Sequence, residues 1–297
     1  LFKLKVLRSI TLGGGRDMAL IEARGLTKEF RIFHRREGVI GAFRDLFRRN
    51  YRTLRAVDGI DFIVEKGEMV GYIGANGAGK STTIKMLTGI LVPTGGMVRV
   101  NGYIPYLDRE VYTRGIGVVF GQRSQLWWDI AVIESFKLLR RIYNVSREDF
   151  NRRLKEFDDI LELGSLLHLP VRKLSLGQRM RCDLTAALLH NPAILFLDEP
   201  TIGLDVLAKA KIRDFLKKIN REFKTTVILT THDLGDIEAL CPRVAIIDKG
   251  KMLFDGAVDE IYTQWGHDKL EEVVKRIYRG VKPGENGGVD KGGGGLA

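Results

Sequence analysis

The sequence predicts an α/β protein built on a parallel β-sheet, and three observations predict it. A short apolar run at residues 69–73 leads into a glycine-rich loop and then a helical pattern. A second apolar run, residues 193–197, ends in Asp198-Glu199-Pro200. Between that run and the β-branched residues 226–230 lies an amphipathic helix, and strand, helix, strand in this order makes a parallel βαβ unit with a buried sheet.

The elements follow along the chain. Residues 19–24 read as a β-like run. Residues 80–91 read as a helix with Ile84, Leu87 and Leu91 on one face. Residues 97–100, between Gly95-Gly96 and Asn101-Gly102, read as a strand bounded by turns, and residues 117–120 as a strand ending at Gly121-Gln122. From there to about Leu189 the pattern is mostly helical; Ser146 with Asp149 three residues on marks one helix start, with Phe150, Leu154, Phe157 and Leu161 after it. Ile212, Phe215, Leu216, Ile219 and Phe223 line the helix of the βαβ unit. Leu270, Val273, Val274, Ile277 and Tyr278 make a last apolar stripe, with Gly280 as its stop. Residues 282–297 are glycine-rich and expected to be a disordered tail.

Composition narrows the class. The longest apolar stretches fall far short of the ~20 residues a membrane helix needs, so a pore, if one is involved, belongs to another chain. Cys182 and Cys241 lie far apart and in no C-x-x-C pair, which fits a reduced cytosolic compartment and points to neither zinc nor disulfides. No secretory signal pattern is present; residues 1–17, ahead of Met18, are expected to be a leader or an added remnant, with an extra ordered arm the alternative. Of the net charge of +11, residues 1–17 carry +3 and residues 31–55 carry +6. A nucleic-acid binder more often spreads its basic stripe over the folded body, so no nucleic-acid partner is expected.

The loop Gly74-Ala75-Asn76-Gly77-Ala78-Gly79-Lys80-Ser81-Thr82 matches G-x-x-x-x-G-K-[ST]. Gly74, Gly77 and Gly79 let the backbone turn tightly and bring its N–H groups to phosphates, and the start of the following helix adds its positive end. Lys80 suits the β- and γ-phosphates and Ser81 offers a hydroxyl to Mg²⁺. The bland alternative, a glycine turn that matches by chance, has to explain a strand before the loop and a helix after it. Asp198 and Glu199 at a strand end suit the same chemistry, Asp198 holding Mg²⁺ directly or through water and Glu199 polarising the attacking water. Such a loop alone serves kinases, GTPases, helicases and transporters alike.

Other stretches narrow the choice. Leu174-Ser175-Leu176-Gly177-Gln178 resembles the LSGGQ signature of ABC ATPases. Gln122 resembles the family's Q-loop residue, Gly203-Leu204-Asp205 its D-loop, His232 its switch histidine, and Phe30 the aromatic residue that stacks on adenine. The resemblance covers residues 18 to about 256, with these stretches in the family's order. It implies a P-loop NTPase (RecA-like) parallel-sheet core with an antiparallel β subdomain and an α-helical subdomain at about 122–189. It also implies ATP and Mg²⁺ as cofactors, a head-to-tail dimer, and separate membrane permease subunits. Across that dimer Ser175, Gly177 and Gln178 would meet the γ-phosphate bound by the partner's loop. Gln122 would sense Mg²⁺ and water, and His232 would bond the γ-phosphate.

Leu176 departs from the family, which usually has glycine there; with Ser175 and Gly177 intact, the composite site is expected to stay competent. Residues 31–55 form an insertion in which Val39, Ile40, Phe43, Leu46 and Phe47 share a helical face with Arg44, Arg48, Arg49 and Arg52 around it. Such a basic amphipathic helix suits an anionic membrane surface or a partner, the bland alternative being a solvated arm packed on its own domain. Residues 257–281 are expected to be a helical extension. The function implied is the ATPase subunit of a transporter of the exporter branch, in a homodimer or heterodimer, cytoplasmic and peripheral on the inner membrane face. One rival is a soluble ABC ATPase acting on nucleic acid or ribosomes, against which stand the single P-loop and the 51 residues between Gln122 and Leu174, too few for a long coiled coil. The other is a phosphotransferase, which would use neither the signature nor the switch histidine.

Overall fold

The computed structural model describes residues 19–33, 51–121, 123–266 and 269–281. The expected leader and tail lie outside them. The chain opens with β1 (Ile21–Phe33) and β2 (Tyr51–Val64), followed by β3 (Met69–Gly74) and α1 (Lys80–Leu87). Next come β4 (Gly95–Val100), a short α2 (Arg109–Tyr112) and β5 (Ile116–Phe120). The helical stretch holds α3 (Val132–Ile142), α4 (Arg147–Leu161) and α5 (Leu176–Leu188). Then follow β6 (Ile194–Asp198), α6 (Val206–Phe223), β7 (Thr226–Thr231), α7 (Leu234–Leu240), β8 (Arg243–Asp248) and β9 (Lys251–Ala257), with α8 (Val258–Trp265) and α9 (Leu270–Tyr278) last.

Two sheets result. Six strands lie in the order β5-β6-β7-β3-β8-β9, parallel except for the β8–β9 pair, and three lie in the order β2-β1-β4, antiparallel. Strand alternation divides the large sheet between two cores. Met69 and Ile73, Leu195 and Leu197, and Val227 and Leu229 face the helices. Val70 and Tyr72, Phe196, and Ile228 face α1 and the antiparallel sheet, where Val57, Ile60, Phe62 and Val64 alternate with exposed neighbours along β2. Burial on both faces makes β3, β6 and β7 read as continuous apolar runs. α4 is capped as anticipated, the Ser146 hydroxyl accepting the Asp149 N–H.

Two expectations change. The helix placed at residues 80–91 stops at Leu87: the chain turns at Thr88, and Leu91 sends its N–H back to the Lys85 carbonyl (2.8 Å) while still packing on the core. The insertion at residues 31–55 is flanked by strand, not helix. Arg31 pairs with Thr53, Ile32 with Arg52 and Phe33 with Tyr51, and the Phe33 and Tyr51 rings meet edge to face at 6.0 Å. Arg52 therefore sits on a ladder, where cross-strand pairing satisfies its backbone and the aromatic pair favours extension. The other helical-face positions named for this arm lie outside the described residues.

His190, just beyond α5, stacks on Tyr143 (3.9 Å between centroids) and contacts the Ile116 carbonyl through Nε2 (2.9 Å). Its Nδ1 is buried and has no hydrogen-bond partner among the described residues. Burial pushes the imidazole down to about 4. The unfolded chain takes up this proton near the ordinary value of about 6.5, so the contribution is complete above that pH and is lost as pH falls toward 4. We predict that the urea-unfolding free energy falls between pH 7 and pH 5 by about 2 kcal/mol more in the wild type than in His190→Phe.

Candidate active site

The carboxyl ends of β3, β6 and β7 lie side by side, since Ile73 pairs with Thr231 and Asp198 with Thr230. Three loops therefore meet there. Leaving β3, the glycine loop exposes Ala75, Asn76 and Gly77 and buries Gly79 and Lys80. Gly79 has φ 109° as the cap of α1, and a Cβ there would come 2.5 Å from the Ala56 carbonyl, so only glycine fits. The Lys80 ammonium folds back over its own loop, donating to the carbonyls of Gly74 (2.7 Å) and Ala75 (3.2 Å). Burial lowers its pKa, and the carboxylates of Glu199 and Asp198 push it the other way. Ser81 and Thr82 stand on the first turn of α1, exposed and half-buried.

Asp198 ends β6. Its Oδ1 accepts from the Thr230 hydroxyl (2.5 Å) and lies 3.3 Å from the Ser81 hydroxyl, so the carboxylate ties α1 to β7. Glu199 follows with φ 59°, a left-handed conformation that side-chain-bearing residues avoid and that is held here by its N–H to the Thr230 carbonyl (2.9 Å). Its Oε2 lies 2.5 Å from His232 Nδ1. Gly121 closes the far side: its N–H donates to the Asp198 carbonyl (2.7 Å), and a Cβ would collide with the Glu199 carbonyl at 2.2 Å. Gln122 lies outside the described residues. Phe30 sits half-buried on β1 opposite Leu54, with Lys28 Nζ 5.3 Å from its ring centre.

The remaining predicted site residues form a separate group. Ser175 caps α5 in a reciprocal box: its hydroxyl accepts the Gln178 N–H (3.2 Å), and the Gln178 side chain accepts the Ser175 N–H (2.9 Å). Leu176 is the first helical residue and leans on the Gly203 turn, where a Cβ would lie 3.0 Å from its Cδ2. Gly177 faces Ala208 and Leu204, and Asp205 caps α6 by accepting the Ala208 N–H (2.8 Å). Leucine at position 176 thus leaves the serine cap formed. No hydrogen bond among the described residues joins this group to the glycine loop.

Sequence reasoning missed Gly121 and Thr230 as parts of the site, and also a buried network behind it. Asp236, fully buried on α7, accepts from Arg213 Nε (2.7 Å) and from Thr201. Lys209 pairs with Asp233 (2.5 Å), so α6 is pinned to the helix after His232. A buried aspartate on an apolar helix face carries no sequence signal until its arginine is located in space.

Residues 57–202 match the family described as ABC transporter. The chain is 29% identical over 236 residues to the ABC transporter ATP-binding protein NatA of Bacillus subtilis, covering 79% of this chain and 96% of that protein. It is 32% identical over 228 residues to the daunorubicin resistance ATP-binding protein DrrA3 of Streptomyces coeruleorubidus, covering 76% and 71%. It is 33% identical over 264 residues to the methionine import ATP-binding protein MetN 2 of Enterococcus faecalis, covering 88% and 70%. Among solved structures, an ATP-binding subunit of an ABC transporter superposes with TM-score 0.73 at 27% identity, covering 87% of this chain and 99% of that one. The dimeric ATP-binding cassette MJ0796, in a post-hydrolysis state bound to ADP and Pi, does so with TM-score 0.66 at 26% identity, covering 80% and 98%.

The reciprocal cap makes a stability prediction independent of ligand. Ser175→Ala should lower the unfolding free energy in urea by about 1 kcal/mol.

Proposed function

This chain belongs to the ABC transporter ATP-binding proteins, and we propose that it hydrolyses ATP gripped between its Lys80 loop and the Ser175 helix start of a second subunit. One observation carries the composite site: within one chain the two phosphate-binding groups are separate, each built on its own elements. A dimer, either of two copies or of this chain with a related subunit, brings one of each group to every ATP.

The roles follow from the placement of the side chains. The amides of residues 74–82, with Asn76, Gly77 and Thr82, cradle the phosphates. Lys80, released from its two carbonyls, meets the β- and γ-oxygens, and Phe30 stacks on adenine. The Ser81 hydroxyl and the Asp198 carboxylate are hard oxygen donors on adjacent elements. They suit Mg²⁺, which takes one or two protein ligands and completes its shell with phosphate oxygens and water. When bound, the cation offsets charge on the β- and γ-phosphates. Glu199 takes a proton from water as the water oxygen attacks the γ-phosphorus. The bond to the bridging oxygen breaks, and ADP and phosphate form. His232 holds the Glu199 carboxylate and would reach the γ-phosphate. Gln122, by its resemblance to the Q-loop residue, would sense Mg²⁺ and water, and Asp205 and Gln178 would support the partner's nucleotide.

Among the described residues no helix is long and apolar enough to cross a membrane. We place the transport path in separate permease subunits that hold this chain at the inner membrane face. Trp127 and Trp128, 42% and 53% exposed, support a docking surface shortly after the β5 strand end. The resistance function in the name of DrrA3 supports export, although MetN 2 is named for import. The rival role on nucleic acid finds no counterpart among these relatives, each named for transport or resistance. The β1–β2 ribbon carries exposed Ile32, Phe33, Tyr51 and Leu54 beside Arg31 and Arg52. That mixture supports contact with anionic lipid headgroups.

Glu199→Gln should cut turnover by about 10²-fold or more and accumulate an ATP-bound dimer on size exclusion; a monomer under saturating ATP would refute the composite site. EDTA should abolish hydrolysis and added MgCl₂ restore it. Replacing residues 31–55 with a short linker should weaken binding to anionic vesicles by about 1 kcal/mol per basic residue that faces the lipid, and unchanged binding would remove the lipid role.

A further inference from the structure

Resting on this reading, the two groups of each chain must move in concert, yet among the described residues no hydrogen bond joins them directly. Besides the packing of α5 on β5 and of Leu176 on the Gly203 turn, a hydrogen-bonded connection runs through the segment after β5. At one end Gly121 is bonded to the Asp198 carbonyl and lies against Glu199. At the other end Ser124 and Gln125 are fastened to α5 by Asp183, which is 3% exposed. Its Oδ1 accepts the Ser124 hydroxyl (2.8 Å) and the Gln125 N–H (3.2 Å), while the Gln125 side-chain amide donates to the Asp183 carbonyl (3.0 Å). The Ser124 oxygen accepts in turn the Leu126 N–H (3.1 Å).

We propose that Asp183 is a positioning residue for ATP turnover, coupling the segment next to Asp198 and Glu199 to the helix that carries Ser175 at its start. The choice of residue supports this. Asp183 sits among Cys182, Leu184, Ala186 and Leu188, which hold α5 in the core by apolar contact. Packing alone would be served by a small apolar side chain, and a buried carboxylate is costly unless its partners are specific. Burial also pushes its carboxyl up to about 6, against the hydrogen bonds that favour the charged form. A cavity of about 100 Å³, lined in part by Phe120, Arg123 and Asp183, leaves room for water beside it. A link of three hydrogen bonds between these two elements, added to the packing of α5 on β5 at Gly117 and Ala187, passes displacement from one to the other.

The test compares steady-state ATP hydrolysis by wild type, Asp183→Ala and Asp183→Asn, alongside dimer formation by Glu199→Gln with and without Asp183→Ala. Asp183→Ala should lower kcat about tenfold with KM within about threefold, and should reduce the trapped dimer. Asp183→Asn, whose amide oxygen can still accept from Ser124 or Gln125, should recover most of the loss. Asp183→Ala with kcat within about twofold of wild type overturns the inference, as does Asp183→Asn no better than Asp183→Ala. Should Asp183→Ala fail to fold, Gln125→Ala removes one bond from the half-buried side of the link; a lower kcat at unchanged KM supports the inference and an unchanged kcat overturns it. A wild type that neither hydrolyses ATP nor dimerises as Glu199→Gln refutes the composite site instead, so the two failures are told apart.

Discussion

Asp198 is where three strands' worth of structure is tied together. One oxygen of its carboxylate takes the Thr230 hydroxyl and faces the Ser81 hydroxyl, and its carbonyl takes the Gly121 N–H. These bonds are possible because β5, β6, β7 and β3 run parallel and end at one level, the place where open α/β sheets gather their ligands. The glycine loop, the acidic pair and the histidine are far apart along the chain and meet for this reason alone.

The electrostatics of that meeting point are balanced for an anionic ligand. Lys80 is buried, which weakens its hold on a proton, and two carboxylates nearby offset only part of that loss. Its ammonium donates to two carbonyls of its own loop, bonds that a phosphate can replace without stranding a buried charge. The second group is quieter: Ser175 and Gln178 satisfy each other, and Leu176 turns its side chain onto Gly203 rather than across the helix start. The departure from the family's glycine is thus absorbed within the chain, between the signature turn and the turn before α6.

Much of this was legible in one dimension. Strands buried on both faces appear as unbroken apolar runs, so β3, β5, β6 and β7 could be located, as could α4, α6 and α9 from apolar spacing. The glycine loop and the acidic strand end announce their chemistry because phosphate binding needs particular residue types at fixed spacing. Less could be read where the signal is weak or misleading. β2 alternates over a long stretch, and its first residues are exposed and arginine-rich, so the arm looked helical where it enters the ladder. β8 and β9 and the short α7 and α8 have too few residues to establish a period. The buried acids Asp183 and Asp236 are single polar residues on otherwise apolar helix faces, and their meaning lies in partners on other elements.

By itself, then, the sequence determined which residues have the types and spacing that a triphosphate site calls for and which segments must be buried, since glycine conformations, apolar periodicity and the pairing of carboxylates with a phosphate loop are local properties. The tertiary structure decided which of those residues share a site. It placed Asp198, Thr230, Glu199 and His232 around the glycine loop, set the Ser175 group apart, and connected the two through Gly121 and Asp183. That division had to wait for the fold, because it depends on strand order and on which helix crosses which strand, and neither is written in the spacing of residues along a chain.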